Sequence, residues 1–216
     1  MIAFWMNYDQ IYAAAMSLEY KEFVDLDIRN WLIKWEKIIQ KISTYIGDIQ
    51  FEDLSIPLTI VATDMNSGEE IWFTTGSVLK AIRYSIWIPG VFVVAQDDNG
   101  KSYADGWLVN NLPVNYIHSE HVVAVSCQGV GRFEGKTSKM VLWIEIDTSW
   151  MTIHTRVMMR SLNIMMSRIE DFIIAEHPNV ILIRPNLEKI SSFDLKALDE
   201  AITIGYKEAK LVLGSH

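Results

Sequence analysis

The sequence predicts an α/β domain with a mainly parallel, buried sheet. Three observations carry this. Short apolar runs rich in β-branched residues have the length of strands, and longer segments carry apolar residues at i, i+3 and i+4 spacing. The two kinds of segment also alternate along the chain, which favours helices packed on a parallel sheet. The chain has 216 residues, of which 50% are hydrophobic and 21% charged. That suits a single domain spanning 1–216.

The elements follow in order. Residues 1–20 read as helix, interrupted near Asn7, and residues 27–46 read as a firmer helix. In the second, Ile28, Trp31, Leu32, Trp35, Ile38, Ile39 and Ile42 make one apolar stripe, and Gly47-Asp48 ends it. Leu58–Thr63 is a buried strand, Asn66-Ser67-Gly68 a turn, and Ile71–Phe73 the strand that pairs back. Residues 77–87 are helical by the spacing of Val78, Ile82 and Ile86, stopped by Pro89-Gly90. Val91–Ala95 and Lys101–Ala104 flank Asp97-Asp98-Asn99-Gly100 as a hairpin. Val122–Ser126, Val141–Ile146 and Val180–Ile183 are further strands. The helix 154–175 lies between the last two, its core stripe formed by Met158, Leu162, Met165, Ile169 and Phe172. Its methionines are read as gap-filling core residues rather than a lipid-facing surface. A last helix, 192–213, opens on Ser191 and Asp194 as a capping box and buries Leu195, Leu198, Ile202, Ala209 and Leu213.

Composition excludes several functions. A net charge of −8 and the lack of a basic stripe argue against nucleic acid. The same acidity opposes strong electrostatic docking on anionic lipid and leaves peripheral membrane contact to an apolar patch. Cys127 has no partner for an internal disulfide, which suits a reducing compartment such as the cytoplasm, and its apolar setting reads as a buried thiol. No apolar run reaches the ~18 residues of a membrane-spanning helix. His118-Ser-Glu120-His121 offers two imidazoles but no third ligand at sensible spacing, so no metal site is expected. Nothing in the sequence asks for a cofactor. Ser85 and Ser126 have no histidine at local spacing to activate them.

Asp105-Gly106 carries the chemical signal. Alone, Asp-Gly is a turn dipeptide. Here it follows a strand, and a carboxylate at a strand end faces the crevice that α/β sheets use for ligands. Glycine beside it permits close backbone approach, and an ionised aspartate can act as a base.

Residues 57–117 give this dipeptide a context. They run Ile60-Val-Ala-Thr-Asp64, Ser67-Gly68-Glu69, Gly76, then Ala81-Ile-Arg83-Tyr-Ser85-Ile-Trp-Ile-Pro89-Gly90-Val-Phe92. Asp105-Gly106 and Leu108-Val-Asn-Asn111-Leu-Pro113 follow. In order and spacing this resembles the middle block of patatin-like phospholipases, with looser likeness at Ile183-Arg-Pro185, Phe193-Asp194 and Gly205-Tyr206. The resemblance implies a three-layer α/β/α domain that hydrolyses lipid acyl esters with a Ser–Asp dyad. Asp105 would be the proton acceptor, with Gly106 as its motif neighbour.

The other half of that dyad is missing from this sequence. The family's serine sits in G-x-S-x-G, and no such motif occurs among the 216 residues. The glycine-rich oxyanion loop is absent too. Gly129-Val-Gly131-Arg-Phe-Glu-Gly135 lies downstream of Asp105 and reads as a loop. Met1–Met6 resembles the apolar helix that follows the nucleophile turn. The chain is therefore expected to be an N-terminally truncated domain, inactive alone and completed by an upstream fragment. The alternative is a non-catalytic module that binds lipid or protein. Trp107 replaces the small residue that usually follows Asp-Gly. Trp87 and Tyr84 replace alanines, and these rings either narrow the acyl cleft or pack elsewhere.

Overall fold

The structure, a computed structural model, describes residues 6–17, 25–27, 32–34, 36–87, 95–127, 149–188, 190 and 195–214. These form two compact units. One comprises Met1–Pro113 with Ser192–Ile202, the other Val114–Ser191 with Thr203–His216.

The first unit opens with helix α1 (Tyr8–Met16), where Asn7 accepts from the Gln10 main-chain N–H and the Gln10 side chain answers at Asn7. This reciprocal cap explains why the helix begins at the interruption seen in the sequence. The expected helix 27–46 is shorter than its stripe. Strands β1 (Asp25–Asp27) and β2 (Leu32–Lys34) pair antiparallel, and helix α2 occupies only Glu36–Ile46. The register sets Asp25 opposite Lys34, an arrangement that cross-strand charge favours.

The sheet that matters for function has the order β4-β3-β6-β5, with β3 (Ile60–Asp64), β4 (Glu70–Phe73), β5 (Ala95–Gln96) and β6 (Ser102–Asp105). Every pairing in it is antiparallel. The expected mainly parallel sheet therefore does not hold here. The β3–β4 and β5–β6 pairs are joined by tight turns and must run in opposite directions, whereas a parallel pair needs a long crossover. Asp64 N–H donates to the Glu69 carbonyl across one turn, and Asp97 N–H to the Lys101 carbonyl across the other. Gly100 has φ of 78°, which an L side chain adopts only with strain.

Helix α3 (Val78–Ser85) is capped by Ser77, whose hydroxyl accepts from Lys80 N–H. It packs Tyr84 against the sheet in a cluster with Ala62, Trp87, Ala95, Tyr103 and Ala104. Ile38 and Ile39 of α2 join the same cluster. The Tyr84 and Tyr103 rings lie 4.6 Å apart, with Phe73 at 5.5 and 5.8 Å from them. Such ring pairs add about 1 kcal/mol each beyond their buried area.

The second unit is a parallel pair, β7 (Val122–Val125) and β8 (Val180–Ile183), connected through helix α4 (Ser149–Glu176). Here the parallel expectation holds. Among the described side chains of α4, Met166 and Glu170 are buried, whereas Met158, Met165 and Phe172 are exposed. One residue step turns a helix by about 100°, so the buried face lies one position beyond the expected stripe. Cys127 is exposed, contrary to expectation. Burial alternates along β7, with Val122, Ala124 and Ser126 inside, which leaves Cys127 on the outer face. Helix α5 (Leu198–Leu213) ends the chain, with Leu213 exposed. The expected strand 141–146, the Ser191–Asp194 cap, the loop 129–135, the segment 88–94 and the first five residues lie outside the described residues.

At the far end of β3, Asp64 is buried and meets Lys101 Nζ at 2.8 Å, while its other oxygen accepts Asn66 N–H. The Lys101 hydrogen bond chiefly holds its carboxyl down to about 2. A carboxyl lowered on folding stabilises above its unfolded value near 4 and loses that contribution as pH falls toward the folded value. Urea midpoints are therefore expected to drop between about pH 4 and about pH 2, and Asp64→Asn is expected to remove that part of the slope.

Candidate functional site

Asp105 closes strand β6 and stands opposite Ala62 of β3. Three contacts fix its backbone. Its N–H donates to the Trp87 carbonyl at 2.9 Å, its carbonyl accepts from the Thr63 hydroxyl at 2.9 Å, and β3 flanks it throughout. The chain then turns at once into a short 3-10 helix, Gly106–Leu108, which Asp105 caps by accepting Trp107 N–H on Oδ1 at 3.1 Å. Gly106 carbonyl takes Val109 N–H and Asn110 N–H, which tightens the turn.

Gly106 is buried against β3. A Cβ there would lie 2.6 Å from the Val61 carbonyl oxygen and 2.8 Å from its carbon. Both are main-chain atoms of a central strand and cannot move aside cheaply. Only hydrogen fits, so the Asp-Gly sequence is a steric requirement of this turn.

The environment of the carboxylate is unusual. Burial pushes the Asp105 carboxyl up to about 7, against the pull of Trp107, whose main-chain N–H favours the ionised form. No charged side chain among the described residues contributes to the shift. A carboxyl group poised near neutrality can both take and return a proton at physiological pH. Among the described residues no serine or histidine hydrogen-bonds its side chain, which accepts from the Trp107 main-chain N–H.

The rings whose role was open in the sequence pack elsewhere. Trp87 and Tyr84 are buried in the cluster beneath the sheet, and the Trp87 main chain, not its ring, meets Asp105. His118 and His121 are exposed, and among the described residues no group of three His, Cys, Asp or Glu side chains could hold a metal. His118 instead lines an open cleft of about 390 Å³ with Glu120, Glu176 and His177. Ser85 is half-buried.

Ser126 belongs to a group that sequence reasoning missed. Its hydroxyl donates to Glu170 Oε2 at 2.9 Å, and Arg184 Nη2 reaches the other oxygen of Glu170. Glu170 is 1% exposed. The trio joins the carboxyl ends of β7 and β8 to α4.

Two outcomes follow from the turn. Gly106→Ala is expected to destabilise the protein by about 3 kcal/mol in denaturant unfolding, because the methyl meets main chain. Asp105 has a folded value above its unfolded one. Its contribution is fully present below about pH 4 and is lost as pH rises through about 7. Asp105→Asn, a neutral isostere, is therefore expected to be more stable than wild type at pH 8 by on the order of 2 kcal/mol. The difference should vanish below pH 4, as read from paired urea titrations.

The chain is similar in sequence to known proteins. A family profile described as Patatin-like phospholipase matches residues 1–118. An uncharacterized NTE family protein of Mycobacterium tuberculosis is 36% identical over 101 residues, covering 45% of this chain and 28% of that protein. The neuropathy target esterase sws of Drosophila melanogaster is 32% identical over 83 residues, 37% of this chain and 6% of its own length. Patatin-like phospholipase domain-containing protein 7 of Mus musculus is 23% identical over 184 residues, 79% of this chain and 14% of its own length. The chain thus spans less than a third of the mycobacterial relative. No helix among the described residues is long and apolar enough to cross a membrane. With more than half of its length matched by the profile, the chain belongs to the patatin-like phospholipase family.

Proposed function

We propose that this chain carries the general-base half of a lipid acyl hydrolase, with Asp105 accepting the proton of a serine hydroxyl as that oxygen attacks an ester carbonyl. The observation that carries the reading is a carboxylate at a strand end, backed by a turn that admits only glycine and poised near pH 7. A serine hydroxyl is a weak nucleophile until a base takes its proton, and a carboxyl of ordinary acidity would hold that proton poorly. The return of the proton to the leaving alcohol completes the same cycle.

The nucleophile comes, in this reading, from a segment outside these 216 residues, which contain no G-x-S-x-G. That segment would also complete a three-layer sheet and bring the oxyanion donors that stabilise the tetrahedral intermediate. The substrate class is a lipid or other acyl ester, as the names of the esterase and phospholipase relatives suggest. The working compartment is the cytoplasm, with substrate met at a membrane periphery. The second reading, a non-catalytic lipid- or protein-binding module, is favoured by the lack of a serine on Asp105 among the described residues.

Fluorophosphonate labelling and p-nitrophenyl ester hydrolysis separate the two. The chain alone is expected to be unlabelled and inactive. Combined with the segment encoded upstream, it is expected to be labelled on the added serine. Its kcat/KM should then rise with pH through about 7, since the base works deprotonated, and Asp105→Asn should cost at least about 100-fold. An unlabelled, inactive pair would leave the binding-module reading in its place, and full activity in Asp105→Asn would remove Asp105 as the base.

A further inference from the structure

We propose that Thr63 is a positioning residue for Asp105: its hydroxyl, reaching across from β3, locks the peptide that joins Asp105 to Gly106 and so fixes where the carboxylate stands. The inference rests on the reading of Asp105 as proton acceptor. Thr63 follows Val61 and Ala62 in the buried run of β3 and is itself 4% exposed. A buried position on a central strand suits valine equally well, and a hydroxyl there is costly unless it finds an acceptor. The acceptor it finds is the Asp105 carbonyl, at 2.9 Å. That oxygen belongs to the peptide at which β6 parts from β3. The register of the two strands runs from Asp64 opposite Tyr103 to Ala62 opposite Asp105, and the turn Gly106–Leu108 begins at the next residue. The preceding peptide is tied as well, because Asp105 N–H donates to the Trp87 carbonyl at 2.9 Å. With both flanking peptides held, the direction of the Asp105 side chain is set, and Trp107 N–H meets its Oδ1. Among the β-branched residues that strands favour, threonine has a donor to do this, whereas valine and isoleucine fill the same space without one.

The hydroxyl could instead do no more than satisfy a strand-end carbonyl, with no effect on the carboxylate, and the two roles give different signals. Thr63→Val keeps the branched shape and deletes the donor. Thr63→Ser keeps the donor and deletes the methyl. Carboxyl ¹³C NMR titration of the full chain, with Asp105 assigned by its loss in Asp105→Asn, reads the consequence directly. Burial is the largest influence on this carboxyl, so a turn released by Thr63→Val admits water and lowers the midpoint from about 7. The expected fall is about one unit, a tenfold change in the ratio of ionised to protonated carboxyl at fixed pH. Thr63→Ser is expected to keep the wild-type midpoint. An unchanged or raised midpoint in folded Thr63→Val overturns the proposal, and so does an equal fall in Thr63→Ser. Should Thr63→Val fail to fold, Thr63→Ala, which removes the same oxygen without adding a methyl, is titrated in its place under the same criterion. The readout needs no turnover, so its failure removes Thr63 as a positioning residue while leaving the hydrolase reading to stand or fall on the labelling experiment.

Discussion

The site depends on one close approach, that of Gly106 to the Val61 main chain. Because the backbone of the turn lies directly on a central strand, there is room for hydrogen and nothing larger. This contact sets the path of the chain. The path makes Asp105 the cap of the following turn, brings Trp107 N–H to its carboxylate, and leaves that residue half-buried. The perturbed acidity is the last link, a result of burial with no charge among the described residues to relieve it. A turn built from a larger residue would swing outward, and Asp105 would become an ordinary solvated aspartate.

The two aspartates of the β3–β6 ladder show how far environment decides chemistry. Asp64 ends β3 and Asp105 ends β6, at opposite ends of the same antiparallel pair. Asp64 has a lysine at 2.8 Å and a main-chain donor, and is held at about 2. Among the described residues Asp105 has neutral donors alone, and it is pushed to about 7. The first pins the hairpins together and titrates where the protein has no task. The second holds a charge that burial disfavours at neutral pH, a cost to folding that a purely structural residue would not impose. Buried groups with shifted acidity cluster at functional sites for this reason.

Much of this was legible in the sequence where local chemistry governs. Asn66-Ser67-Gly68 and Asp97–Gly100 announce their hairpins, Pro57 and the β-branched run after it announce β3, and Asp105-Gly106 falls where a strand must end. The profile match over residues 1–118 covers this same region. Legibility fails where tertiary context takes over. An apolar stripe with helical spacing did not stop Asp25–Asp27 and Leu32–Lys34 from pairing as strands, because short segments satisfy either geometry. The face of α4 was misplaced by one residue because Met165 and Met166 are alike by composition, and only packing selects the second. Trp87 and Tyr84 could not be assigned to cleft or core without the helix that carries them inward. The Ser126–Glu170–Arg184 trio joins residues far apart in sequence, so no local pattern could have shown it.

The account stands on a desolvated carboxylate at the end of β6. Site-resolved titration of Asp105 in the unmodified chain tests that claim most directly. A midpoint close to 7 is the predicted result. A midpoint near 4, the value of a hydrated aspartate, would mean that the turn does not exclude water and that Asp105 has no special fitness to take a proton from serine.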